Sequence, residues 1–195
     1  MDRRILAAAT LISALVASCG GRTLEAPPEE PYPPNDVAEL ARIFNPELEP
    51  LGLRLVRGRL IDRSQGGYQP SDTGTHLALY AEPFGTVSAE RYVSNIAPLT
   101  KVFVPEIFDR WSRLESFDIC QEPLPFVNDD SEPPPVSQVT VHRPAVSQVA
   151  WDRLDLAGLV QASRERPKQV GVILSPVLRR LPRVRALYGP PTPSV

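Results

Sequence analysis

Leu51-Gly52-Leu53-Arg54-Leu55-Val56-Arg57-Gly58-Arg59-Leu60-Ile61 and, after a Gly-rich loop, Thr75-His76-Leu77-Ala78-Leu79-Tyr80-Ala81-Glu82 decide the fold class. In the first run Leu53 and Leu55 lie on one parity, and Val56 and Leu60 on the other. Strand side chains alternate with a period of two, so a β-bulge near Val56–Arg57 is needed to keep one apolar face. The second run is almost continuously apolar, which is the pattern of a strand buried on both faces inside a sheet. Residues 65–74 join the two strands.

Further elements follow on either side. Asp36 is an N-cap for a helix carrying Val37, Leu40, Ala41 and Phe44, and Pro46 and Pro50 stop it. Ser88 caps a helix with Val93, Ile96 and Ala97 on one face. Pro98 breaks that helix, and Pro105 opens another carrying Phe108 and Trp111. Residues 115–121 and 136–143 read as strands on either side of the proline-rich loop 122–135. Asp155 caps a helix with Leu156, Leu159 and Val160, which Pro167 ends. Residues 169–174 form a short strand, and Ser175 as N-cap with Pro176 at the first helical position opens a C-terminal helical region ending at Gly189. Strands in adjacent pairs predict an α+β fold: an antiparallel sheet of four to five strands with helices on one face, in one domain over residues 36–189. Residues 190–195 read as a disordered tail. The Val-Ser-Gln-Val of 136–139 recurs at 146–149, too short a recurrence for a repeat architecture.

The chain has 195 residues, of which 42% are apolar and 23% charged, enough for a packed core and unlike a disordered chain. The formal charge of −2 gives no basic surplus for a nucleic-acid partner. Two cysteines cannot form a disulfide scaffold.

At the N-terminus, Arg3 and Arg4 precede a twelve-residue apolar run from Ile5 to Val16, an export signal shorter than the ~20 residues of a membrane-spanning helix. Val16-Ala17-Ser18-Cys19 resembles the lipobox of bacterial lipoproteins. The resemblance covers residues 1–20 and implies cleavage of a signal peptide of residues 1–18, diacylation of Cys19, and acylation (commonly palmitate) of the new amino terminus. Val16 stands where the family most often has Leu. Gly20, in place of Asp, implies no inner-membrane retention. The expected location is the cell membrane or outer membrane, lipid-anchored on the extracytoplasmic side. Two or three acyl chains hold a protein stably where one does not. Residues 19–35 form the lipidated cysteine and tether. Five prolines in the thirteen residues Thr23–Asn35 favour polyproline II, about 40 Å long at ~3.1 Å per residue.

Catalytic signatures are weak. Asp72-Thr73-Gly74 matches an aspartic-protease triplet, but Pro70-Ser71 precede it and no second copy exists, so it reads as a turn. His76, His142 and Cys120 lack metal-ligand spacing, and no phosphate loop or Gly-x-Ser-x-Gly elbow occurs. No cofactor, metal or catalytic residue is therefore assigned. Cys120, unpaired once Cys19 is lipidated, reads as a small core residue.

Charge is uneven. From Trp151 onward there are eight basic residues against three acidic, whereas residues 19–150 carry eleven against nineteen. Arg179, Arg180, Arg183 and Arg185 are set among Val177, Leu181, Val184 and Tyr188. Such a segment could lie on anionic lipid or dock on an acidic partner. The more economical expectation is that its apolar side covers the sheet and its arginines pair with the acidic body. The sequence points to a non-catalytic binding module of the cell envelope, with loop 122–135 and segment 176–188 as contact surfaces and an envelope protein as the possible partner. The alternatives are an envelope hydrolase with a scattered site and a carrier of a small apolar ligand between sheet and helices.

Overall fold

The computed structural model describes residues 32–62, 74–123 and 135–188. The signal peptide, Cys19, Asp72-Thr73, most of loop 122–135 and the C-terminal tail lie outside the described residues. Five strands, β1 (Leu53–Asp62), β2 (Thr75–Pro83), β3 (Leu114–Gln121), β4 (Ser137–His142) and β5 (Val170–Leu174), form one sheet in the order β1-β2-β3-β4-β5. The main helices are α1 (Val37–Leu48), α2 (Ala89–Arg110) and α3 (Leu156–Glu165), followed by the short α4 (Pro176–Arg179) and α5 (Pro182–Tyr188).

The fold is α+β. Three of the four strand pairs are antiparallel, and β2 and β3 run parallel. A parallel pair cannot be joined by a hairpin; it needs a crossover of a dozen or more residues. α2 supplies it. This is where the structure departs from the predicted pair of helices: α2 is a single 22-residue helix with Pro98 and Pro105 inside it. Each proline removes a donor, from the carbonyls of Ser94 and Lys101, at a cost of about 3 kcal/mol in a free helix. Burial offsets that cost, because Ile96, Leu99, Phe103, Val104, Ile107 and Phe108 are all buried and each such side chain contributes about 1.5–3 kcal/mol. The prolines stand seven residues apart and share one flank, away from the core. α1 likewise contains Pro46 and ends at Leu48, with Pro50 in the 3-10 turn that follows.

The predicted bulge is present: the β1–β2 register shifts between Leu55 and Arg57. It moves the apolar set from Leu53 and Leu55 to Gly58 and Leu60. With Leu77, Leu79, Ala81, Phe117, Ile119, Val139, Val141, Val170 and Leu174, these build one face of the sheet, against which α1, α2 and α3 pack. Gly58 lets α1 approach closely there, since a Cβ would come within 2.5 Å of the Leu40 Cδ1 on α1 and that side chain would have to shift.

Three predicted caps form: Asp36 accepts from the Ala38 amide at 2.8 Å, Ser88 from Arg91 at 3.3 Å, and Asp155 from Gly158 at 2.8 Å, whereas Ser175 stands at the N-cap of α4 without a side-chain cap bond. Beyond the C-terminal end of α2, the Arg143 guanidinium donates to the carbonyls of Leu114 at 2.7 Å, Phe108 at 3.2 Å, and Trp111. It thereby satisfies carbonyls of the last helical turn and fixes the turn into β3.

Phe44 lies 4.6 Å from Phe103 and 6.0 Å from Trp111, ring centre to ring centre, and ties α1 to α2. Truncation of this fully buried ring in Phe44→Ala is expected to lower the unfolding free energy by about 3–5 kcal/mol. A urea titration checks this, and a loss below about 1 kcal/mol would show that α1 does not depend on the aromatic cluster.

Candidate functional site

The opposite face of the sheet carries no described helix. Register and alternation bring Arg57, His76, Tyr80, Ser116, Asp118, Cys120, Gln138, Thr140 and His142 onto it. His76 Nδ1 lies 2.9 Å from the Ser116 hydroxyl, its parallel-strand partner, and His76 Nε2 lies 3.1 Å from the Asp118 carboxylate. Arg57 lies 4.2 Å over the Tyr80 ring and forms an ion pair with Glu122. Tyr92 in turn donates to the Glu122 carbonyl at 3.1 Å.

The serine, histidine and aspartate have the composition of a nucleophile, base and orienting acid. Their placement is that of a structural network: His76 is fully buried and Ser116 is 1% exposed, so no substrate carbonyl reaches the hydroxyl. His76 bridges the other two polar groups across the two strands. Sequence reading missed this row because it depends on the β2–β3 pairing; the only trace was the alternation of Ser116, Asp118 and Cys120 against Phe117, Ile119 and Gln121.

His76, His142 and Cys120 share this face, yet among the described residues no group of three or more His, Cys, Asp or Glu converges for a metal. Cys120 is buried as expected, but among polar neighbours instead of in the main apolar cluster. Burial, and then the negative charges of Asp118 and Glu122, push its thiol well above the ordinary thiol range, against a smaller lowering by Arg57.

The second feature is basic. Leu178 and Val184 of the C-terminal segment are buried in the core, as its amphipathic pattern predicts. The predicted pairing of its arginines with the acidic body does not form among the described residues. Arg183 donates to the Glu90 carbonyl at 2.5 Å, and Arg179 sits 5.8 Å from the Tyr188 ring centre. Lys168, Arg179, Arg180, Arg183 and Arg185 are all exposed and have no carboxylate within 4.0 Å among the described residues. Beside them Ile173 is 55% and Val177 61% exposed. The physical reason is placement: the α3–β5–α4–α5 end holds few carboxylates, and the acidic residues lie elsewhere on the fold.

A third feature is an open groove of about 470 Å³ between α2, α3 and α5, walled by Val93, Ala97, Pro98, Leu156 and Leu187 with Lys101 and Arg183 at its rim. It lies between helices, not between sheet and helices, where the carrier alternative would place an apolar ligand.

Among the described residues no helix is long and apolar enough to cross a membrane. No protein-family model, curated protein or solved structure matches this chain.

Cys120 is expected to resist iodoacetamide in the folded chain at pH 8, by at least a hundredfold relative to the chain in urea, because both access and thiolate are suppressed. Intact mass with and without urea reads this; equal rates would place the thiol at the surface. The sign for stability follows from linkage. Above the ordinary thiol range the unfolded chain loses the proton that the folded chain keeps, so stability falls as pH rises past about 9, and less so in Cys120→Ala.

Proposed function

We propose that the mature chain is a lipid-anchored, extracytoplasmic binding module of the bacterial cell envelope, held through acyl chains on Cys19, and that its work is association instead of catalysis. The anchor rests on Val16-Ala17-Ser18-Cys19 behind a short charged and apolar leader. The observation that carries the binding reading is the set of exposed cations at the α3–β5–α4–α5 end that the described part of the fold leaves without carboxylates. Within a domain such charges add little to stability, whereas across an interface they steer an acidic partner and set its orientation. The buried Ser116–His76–Asp118 row supports the same reading, since it ties β2 to β3 and offers no open nucleophile.

The envelope location itself is tested by fractionation with acyl labelling. Cys19→Ser is expected to abolish incorporation of a palmitate analogue and to release the chain from the membrane fraction; retention of both would overturn the anchor. Native mass spectrometry of the gently solubilised protein is expected to show an added protein mass. That mass should fall at least tenfold in the double variant Arg179→Glu, Arg180→Glu. A bare lipidated monomer at all protein concentrations would count against the binding module.

A further inference from the structure

The two edges of the sheet differ. At β1, the outward Leu55 amide donates to the Asn45 side chain at 2.8 Å and the Leu60 amide to the Asn35 side chain at 3.4 Å, with the bulge between them. Side chains and a kink thus occupy the donors that a further strand would need.

Among the described residues the β5 edge has no such protection. The Ser175 amide donates to the Val136 carbonyl and the His142 amide to that of Gln169, which fixes the phase of the β4–β5 ladder. Residues 169, 171, 173 and 175 exchange bonds with β4, and the intervening residues turn their N–H and C=O groups outward. The Val170 amide is taken by the Arg166 carbonyl. The Val172 N–H and C=O are left facing outward, with no partner among the described residues. The exposed Ile173 projects on the helix-free face beside that edge, and the exposed Val177 follows in α4. Cations stand at both ends: Lys168 before the strand, and Arg179 and Arg180 after it.

We propose that the β5 edge takes an extended acidic peptide segment as a sixth strand. Val172 would supply the main-chain bonds, Ile173 and Val177 the apolar contacts, and Lys168, Arg179 and Arg180 the charge preference. This rests on the binding-module reading and names its surface and the chemistry of its partner. An anionic membrane fits less well. Leu178 and Val184 are turned into the core, so the segment shows no continuous apolar face for lipid. The tether also enters by Asn35 at the β1 edge, across four strand spacings, about 19 Å, from β5.

The test uses the full chain, purified in a non-ionic detergent, and a fluorescent capped decapeptide of alternating glutamate and valine. The expected result is saturable binding that weakens at least tenfold between 0.1 and 0.5 M salt. Binding should also fall at least tenfold in Arg179→Glu, Arg180→Glu, and at least tenfold when alternate peptide amides are N-methylated. Hydrogen exchange at the Val172 amide should slow at least tenfold in the complex. Val172→Pro, which removes the outward donor together with a half-buried side chain packed on the core, is a second variant, with its urea midpoint as the folding control. The N-methylated peptide keeps the test decisive if that variant does not fold. Absence of binding, equal binding of the N-methylated peptide, or preferential capture by phosphatidylglycerol vesicles would each overturn the proposal. Intact mass of the same preparation reports acylation of Cys19 separately, so failure of the anchor and failure of the edge are told apart.

Discussion

The parallel pairing of β2 with β3 is the constraint on which the rest of the structure depends. Once these strands run the same way, the chain between them must cross the sheet from end to end, and only a long element can do so. α2 therefore has to persist through Pro98 and Pro105. Its buried face then fixes where α1, α3 and the α4 turn pack, since each of them touches it. Arg143 closes the crossover by binding the carbonyls at the end of the helix and the start of β3. The same pairing brings His76 opposite Ser116 and within reach of Asp118, so the polar row on the far face is a product of topology.

With all main helices on one face, the molecule divides its chemistry by side. The helix-bearing face holds the apolar core. The other face carries buried polar groups, among them the Ser116–His76–Asp118 row and the high-pKa Cys120 thiol. The two edges of the sheet also differ. The β1 edge is blunted by Asn35 and Asn45, and the β5 edge is framed by exposed cations with no carboxylate partner among the described residues.

The local rules written in the sequence were legible where a side chain meets its own neighbours. Asp36, Ser88 and Asp155 cap the helices they precede, the change of parity after Leu55 marks the bulge, and the apolar run 75–82 marks an interior strand. Two readings changed. Proline was taken to end a helix, which holds in isolation; ten buried residues along α2 outweigh that local cost. The arginines of residues 176–188 were expected to meet the acidic body, but pairing needs proximity in space, which overall composition does not provide.

The sequence by itself determined the element types, their caps, the register kink in β1, the α+β class and the acidic–basic division of the chain. These follow from dihedral preference, side-chain period and charge, all of them local properties. Only the tertiary structure decided which strands are neighbours, that β2 and β3 are parallel, that Cys120 and His76 share a polar face, and that among the described residues one sheet edge is blocked while the other is open. Those depend on contacts between residues tens of positions apart, whose free energy comes from burial and pairing in three dimensions and leaves no periodic signal along the chain.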